Sequence, residues 1–415
     1  MTAPLRPGQG SGSRPTIIAS VDTARAMVRE HAPRPRRTRV ALDHALGRIL
    51  LSPVIAMRDQ PPFDAAAMDG YALATPLSEG QAVTVIGESQ AGRGFMGALD
   101  GTTTVRVFTG APLPVGATRV VMQEDVLRDG QTLRLRHGVA PSQKSHIRRR
   151  GSDFHAGDDL LQPGDRLTAW RLALAAAAGA ARIDVARRPR VAVVCTGDEL
   201  VPASGAARDD QVFESNAVAL GALIRQWGGM VVCATLRGDD QAELTQALLD
   251  LRVDIIVTVG GASVGDYDLI RPALESLHVH WLFEKVDIKP GKPTAFGLLE
   301  DGRRVLCLPG NPGSALVCAH LFLKPLIEAA SGAQVSSHIK ALPCATGLAA
   351  NGPRETFLRA VVLAGIDGSP VLLPLSDQDC AQVHAFAVTS ALIRRRAQAA
   401  AVSPGEVCEC VWLDQ

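Results

Sequence analysis

Aromatic residues are scarce, at 4% of a 415-residue chain. Any core must therefore be assembled mainly from Ala, Val and Leu. A charge excess is missing too. Lys and Arg number 43 against 42 Asp and Glu, a formal net charge of +1, which gives no electrostatic case for general nucleic-acid binding. The basic runs at 34–39 and 148–150 read in isolation as solvated faces. The eight cysteines form no CxxC pair and no Cys/His cluster, which argues against a zinc site. Cys195, Cys233, Cys307 and Cys318 sit in apolar runs as buried thiols do, and Cys408-Glu409-Cys410 reads as strand alternation. No signal-peptide pattern opens the chain, and the longest small-apolar run, 172–181, is too short to span a bilayer. Internal repeats and heptads are lacking. These absences leave a reduced, cytoplasmic enzyme with no nucleic-acid and no membrane partner.

A chain of this length calls for about two to four domains. Residues 1–15 are rich in Gly, Ser and Pro and read as a disordered tail. Residues 20–31 and 38–51 carry helix-like apolar spacing, with Val21-Asp22 as a helix start and Pro53 as a stop. From residue 54 to 147 short β runs alternate with turns, at 82–86, 104–108, 119–122 and 132–135. Residues 151–188 resume the character of 20–51, with a helix at about 168–180. The expected organisation is a discontinuous helical linking domain (16–53 plus 148–188) with a β-rich module (54–147) inserted. An α/β domain (189–332) and a C-terminal β domain (333–415) follow. The last has strands at 357–363, 371–373, 391–395 and 406–412.

The α/β domain is the centre of the reading. Apolar runs at 190–195, 254–259 and 304–308 each end in a polar or glycine-rich loop, and helical patterns at 216–227 and 241–251 alternate with them. This predicts βαβ units around a parallel sheet, whose ligands bind beyond the carboxyl ends of the strands. Thr196-Gly197-Asp198-Glu199, Asp239-Asp240, the glycine loop 260–265 with Asp266 and Asp268, and Pro309-Gly310-Asn311-Pro312-Gly313-Ser314 then share one rim. Lys285, Lys289 and Lys292 recur at spacings of four and three, the last two on a Pro-Gly turn. Lysines so gathered suit an anion, acidic strand ends suit Mg²⁺ shared with a phosphate, and a helix start at Ser314 offers free amides. The bland alternative is that Asp239 or Asp240 caps the following helix and that Ser314 merely starts one. In the β module, Asp64 and Asp69 flank small residues behind Pro61-Pro62, read either as a taut loop presenting a carboxylate or as a turn cornered on Asp69-Gly70. Thr109-Gly110 after a strand could hold a phosphate or pterin edge. Arg148-Arg149-Arg150 beside Asp153 reads as a phosphate fork or as a salt-bridge cluster at a domain joint.

The segments PPFDAAAMDGYA, TGAPLPVGA, VVMQED, RRRGSD, TGDEL, SNA, GGASVGDYD, KPGKPTAFG and LPGNPGSA occur here in the order found in molybdopterin molybdenumtransferases. The chain resembles that family strongly over 20–330 and weakly beyond. The resemblance implies a central α/β domain of molybdopterin-binding type. The implied reaction inserts molybdate into adenylylated molybdopterin, giving molybdenum cofactor and AMP, with Mg²⁺ required. It also implies an elongated homodimer whose site lies between the α/β domain of one subunit and the β module of the other. Molybdopterin adenylyltransferase and molybdoenzyme chaperones are the further partners it brings in.

Carried over by motif, Asp69, Thr109, Asp153, Glu199, Lys285 and Lys289 are the catalytic positions. Glu199, Asp239 and Asp268 are the metal ligands. Arg149, Thr196, Gly260, Gly261, Ser263, Gly265, Lys292, Pro309, Gly310, Asn311, Pro312, Ser314 and Arg359 are substrate contacts, with Lys289, Lys292, Ser314 and Arg359 around molybdate. The sequence departs from the family at Ala65-Ala66, where Asn-Ser is usual, and at Ala262. It also departs at Asp379-Cys380, where Gly-Ser is usual; the added acid there weakens an anion site by repulsion. The competing readings are a molybdopterin adenylyltransferase, disfavoured by the β module and the Lys-Pro-Gly-Lys turn, and a non-catalytic cofactor carrier or scaffold.

Overall fold

The computed structural model describes residues 6–7, 16–140, 143–237, 240–260, 269–333 and 339–413. The chain divides into two compact units, Met1–Thr38 with Gly47–Ile49 and Val185–Gln415, and Arg39–Leu46 with Leu50–Asp184.

The first unit is built on a six-stranded sheet in the order Met230–Arg237, Arg190–Thr196, Ile255–Val259, Arg304–Leu308, Ala295–Leu298, His280–Phe283. The first four strands are parallel. The last two are antiparallel to their neighbours, so the sheet is mixed rather than wholly parallel as expected. The reason is local: 295–298 and 304–308 are joined by the turn at Asp301-Gly302, too short for a crossover helix. Every residue of Ile255–Val259 is buried, as a central strand covered on both faces requires. Although aromatics are few, Phe283, Phe296 and Phe322 are among the fully buried side chains of this unit.

The helical run Pro312–Ala330 is long and apolar enough to cross a membrane by length and composition, but 94% of it is buried inside the protein, which makes it a core helix. Its middle turn, Ala319–Leu323, is a π turn. Pro325 has no N–H to donate to the carbonyl four residues back, and the wide turn lies directly before it.

A second sheet in this unit joins the short strand Ile288–Lys289 to Glu355–Ala364, followed by Ala391–Arg395, Val407–Trp412 and Ile339–Pro343; Pro370–Pro374 pairs with the far end of Glu355–Ala364. Cys408 and Cys410 point inward while Glu409 between them is exposed, the alternation the sequence showed.

The helix Val21–Glu30 is capped by Ser20, whose Oγ accepts from the Thr23 N–H. Its Val21, Ala24 and Val28 pack in the same core as Val191, Ile255 and Phe322. It therefore packs in the core of the first unit. The expected helix at 38–51 is instead the strand Arg37–Ala41 and a 3₁₀ turn, Leu42–His44. β-Branched Thr38 and Val40 favour extended backbone over the apolar spacing that suggested a helix.

Asp22 of the first helix bonds Arg394 and Arg396, at 2.7 and 3.0 Å. Burial alone would raise its carboxyl, but the hydrogen bonds and charges of the two arginines outweigh that and lower it. A depressed folded value stabilises the fold at neutral pH. That contribution fades as pH falls through the ordinary carboxylate value of 3.8 and is gone below the folded one. Asp22→Asn should cost less than about 1 kcal/mol at pH 7, because the pair is partly exposed. Its thermal midpoint should converge on that of the unsubstituted protein once the pH is below the depressed folded value, where the carboxyl is neutral in both states.

In the second unit a six-stranded sheet runs Val126–Asp129, Thr132–Leu135, Ala82–Ser89, Thr103–Val107, Gly70–Leu73, Arg119–Met122. The helix Ala169–Ala177 is capped by Thr168.

Candidate active site

Within the parallel part of the central sheet, chain order reverses between Arg190–Thr196 and Ile255–Val259. From Arg190–Thr196 the chain crosses through the helix Asn216–Gln226 to Met230–Arg237 on one side, then returns through Gln241–Asp250 to Ile255–Val259 on the other. Such a switch leaves a crevice beyond the strand ends. Thr196 and Gly260 meet there. Gly260 has φ +88°, and a Cβ on it would lie 2.8 Å from the Thr196 carbonyl oxygen, so only glycine fits. The loop after Arg304–Leu308 joins them, since a Cβ on Gly310 would contact the Gly260 Cα at 3.4 Å.

Asn216, buried at the start of its helix, holds that loop by donating from Nδ2 to the Gly310 carbonyl at 2.9 Å. The sequence showed the Ser-Asn-Ala segment but not this task, because the partner lies 94 residues away. Glu199 is exposed just beyond the same strand end. Asp240, one of the two acids of its loop, caps the next helix by accepting from the Glu243 N–H. Gly261, Ser263, Gly265, Asp239 and Asp268 lie outside the described residues. Among the described residues no three His, Cys, Asp or Glu side chains gather as a metal site.

The lysines line a different space in this unit. The pairing of Ile288–Lys289 with Glu355-Thr356 carries the Lys-Pro-Gly-Lys turn to the C-terminal sheet. Between them is a cavity of about 600 Å³, lined by Lys289, Lys292, Ser314, Arg354, Arg359 and the Gln378–Cys380 loop, with Val317, Phe357 and Leu358 as its apolar part. Lys289 and Lys292 are exposed into it, and no carboxylate pairs with either among the described residues. Four cations against Asp379 leave a strong positive excess. Asp379 is itself occupied, accepting from the Ala381 N–H at 3.0 Å. Lys285 stands apart from this wall, on a short strand paired with Ile18.

Two expectations change here. The helix start at Pro312 does not offer all its amides, because the Gly313 N–H donates to the Cys380 carbonyl at 2.7 Å. A Cβ on Gly313 would sit 2.6 Å from that oxygen, so the loop carrying Cys380 is seated on the glycine. Arg359, expected to lend its guanidinium to the anion, is 3% exposed and donates to the carbonyls of Asp377, Asp379 and Gln382.

In the second unit, Asp69 ends the bend before Gly70–Leu73. Its Oδ1 accepts from the Thr109 N–H at 2.7 Å and from Thr109 Oγ1 at 2.8 Å. These bonds, with the Arg106 charge, hold its carboxyl below the usual carboxylate value. Arg106 is itself held over the Tyr71 and Phe108 rings, at 5.0 and 5.2 Å. Asp69 is thus an ionised, solvent-facing carboxylate on a rigid corner. Thr109 orients it rather than presenting a free hydroxyl. Arg149 bonds Asp64 at 2.5 Å, and the Arg150 N–H donates to the same carboxylate, so this arginine is engaged within its own unit. Asp153 is exposed on the adjoining loop.

Residues 19–179 match the family described as "MoeA N-terminal region (domain I and II)", and residues 192–329 match "Probable molybdopterin binding domain". The chain is 36% identical over 322 residues to a molybdopterin molybdenumtransferase of Haemophilus influenzae, covering 76% of this chain and 78% of that one. It is 35% identical over 361 residues to molybdopterin molybdenumtransferase 2 of Mycobacterium tuberculosis, covering 83% and 88%. The solved structure of a molybdopterin biosynthesis MoeA protein from Pyrococcus horikoshii superposes with a TM-score of 0.79 at 27% identity, over 96% of this chain and 100% of that one.

Proposed function

The chain belongs to the molybdopterin molybdenumtransferase family, and from that premise we propose that it inserts molybdenum, delivered as molybdate, into adenylylated molybdopterin, releasing molybdenum cofactor and AMP. One observation carries the reading: the cavity in which Lys289, Lys292 and Arg354 surround Ser314 with only Asp379 opposing them. A doubly charged tetrahedral oxyanion is the kind of ligand such a wall holds.

The crevice at Thr196, Gly260 and Gly310 takes the pterin–nucleotide. Glycine backbone there allows the close approach that a diphosphate needs. Catalysis is placement and charge stabilisation, with no covalent enzyme intermediate. Lys289 and Lys292 hold the oxyanion, and Asp69, kept ionised by Thr109, contributes a fixed negative charge to the reaction.

Mg²⁺ belongs to the same proposal. Glu199 beyond a strand end is an oxygen donor of the type a hard cation takes, with Asp239 and Asp268 as its companions. When bound, the cation neutralises diphosphate charge. We also propose a homodimer in the cytoplasm, consistent with free thiols at all eight cysteines, exchanging substrate and product with an adenylyltransferase and with molybdoenzyme chaperones.

Purified protein incubated with adenylylated molybdopterin and Mg²⁺ should release AMP only when molybdate is added. Tight binding without release under both conditions would overturn the enzyme reading in favour of a cofactor carrier. The acidic Asp379 in the anion wall is the observation that favours that second reading.

A further inference from the structure

The amino ends of three parallel strands form the rim opposite to the crevice, and arginines crowd it. Arg190 opens the strand Arg190–Thr196, Asp254 directly precedes Ile255–Val259, and Arg304 opens Arg304–Leu308. A strap of residues 31–36 is pinned to these ends through its backbone. Arg304 Nε donates to the His31 carbonyl at 2.6 Å, and the Arg187 N–H donates to the Arg36 carbonyl at 2.6 Å. Between the two pins, Pro33 and Pro35 bias Ala32 and Arg34 towards extended backbone. Arg34 and Arg36 are thus exposed on a fixed strap rather than on a free run.

The charges here do not cancel. Arg34, Arg36 and Arg187 line one cleft with Pro33, Pro189 and Ala330, and Asp254 is the single carboxylate among its lining residues. Asp254 is already used. Both of its oxygens accept from Arg187 Nη2 at 2.8 Å, and Oδ2 also accepts from the Arg190 N–H at 2.7 Å. Next to Arg187 in the chain, the Ala186 carbonyl accepts from Arg48 Nε and Nη2, at 3.1 and 2.7 Å. Burial, and after it the charge of nearby Arg188, lower the Arg48 guanidinium below its ordinary value. The side chains of Arg34, Arg36 and Arg188 take part in no hydrogen bond or ion pair among the described residues.

Like charges gathered this way repel one another and favour a ligand that brings the missing negative charge. Three properties select its class. Arg34 and Arg36 flank Pro35 at alternate positions, a spacing of about 7 Å on extended backbone, which matches carboxylates on alternate residues of another extended chain. No aromatic ring lines the cleft to stack a base, and a net charge of +1 gives no long-range pull on a duplex. No large apolar side chain lines it for insertion into lipid.

We propose that the strap of residues 33–36 and the adjoining segment 187–189 form a docking surface for an extended acidic segment of a partner protein, held by Arg34, Arg36 and Arg188. The surface lies on the rim away from the crevice, so a docked partner leaves the crevice open. Fluorescence anisotropy of a labelled alternating Glu-Ser peptide with the full chain should show binding that weakens as salt is raised, because exposed charges are screened. A Gln-Ser peptide of equal length should not bind. Arg34→Glu combined with Arg36→Glu should weaken binding about tenfold or more, and Arg188→Glu alone should weaken it too. None of the three side chains has a partner to lose, so the urea midpoint should hold in both variants. Lys289→Ala combined with Lys292→Ala should leave peptide affinity unchanged, which separates this surface from the oxyanion cavity. Absence of peptide binding by the unsubstituted chain would overturn the proposal. So would unchanged affinity in both arginine variants, or a loss confined to the lysine variant. A short DNA duplex, or equimolar phosphatidylserine–phosphatidylcholine vesicles, that bound more tightly than the peptide and lost affinity in the arginine variants would reassign the surface to nucleic acid or to a membrane and overturn the acidic-protein assignment.

Discussion

Gly291→Ala is expected to lower the unfolding free energy by about 3 kcal/mol or more, and to remove most of the oxyanion affinity with it. Two independent costs add. The residue has φ +108°, a conformation L side chains rarely adopt, and a Cβ there would lie 2.2 Å from Cys318 Sγ. Left-handed backbone costs about 1–2 kcal/mol and overpacking about 1–3. Burial and a hydrogen bond resist displacement of the sulfur. It is fully buried, accepts from Thr294 Oγ1 at 3.2 Å, and burial pushes its thiol up to about 12. Because Gly291 lies between Lys289 and Lys292, any backbone shift that relieves the clash displaces both ammonium groups. Urea denaturation should show a lower midpoint with unchanged slope. Adding Cys318→Ala should restore part of the loss relative to the sum of the two single changes, since it removes the atom that clashes. Additive costs would show that strain at φ, not the sulfur, dominates.

Asp69→Ala should reduce molybdate-dependent AMP release by about 10²-fold to 10⁴-fold, the range seen when a positioned acid–base or electrostatic group is lost. Stability should change little, because Asp69 is only partly buried and only its bonds to Thr109 are lost. Asp69→Asn tests the same point more narrowly. The amide keeps an oxygen for the Thr109 N–H and hydroxyl but carries no charge. If charge is what the site uses, Asn should be nearly as impaired as Ala; if position alone matters, Asn should retain most activity. Measuring kcat and KM separately decides between a transition-state contribution and substrate binding. Normal AMP release by Asp69→Ala would exclude this carboxylate from the reaction.

Much of the fold follows from local sequence. The helix starts expected at Val21-Asp22 and near 168 are local features, since Ser20 and Thr168 each satisfy a free amide within one turn. The buried strand at 255–259 is visible as an unbroken β-branched run, and Cys408-Glu409-Cys410 as alternation. These are interactions between residues a few positions apart, so the pattern alone is enough. The stretch at 38–51 misled because apolar spacing over so short a run does not distinguish a helix from a strand and turn.

The chemical inventory was equally legible. Lysines gathered on a Pro-Gly turn, a glycine that must follow a strand, and an acid behind paired prolines are statements about residue type, and type is what a sequence records. Which of those groups are free to act was decided only by tertiary structure. Arg359 and Arg354 are the same residue type five positions apart, yet one is bound to three carbonyls of a distant loop and the other has a single long bond. Asn216 gained its task from a carbonyl 94 residues away. Gly313 gave up an amide to Cys380 across a still different segment. Hydrogen bonds form at about 3 Å regardless of separation along the chain. Composition and order therefore determined the family, the elements and the kind of ligand, while long-range pairing alone selected which side chains remain available to hold it.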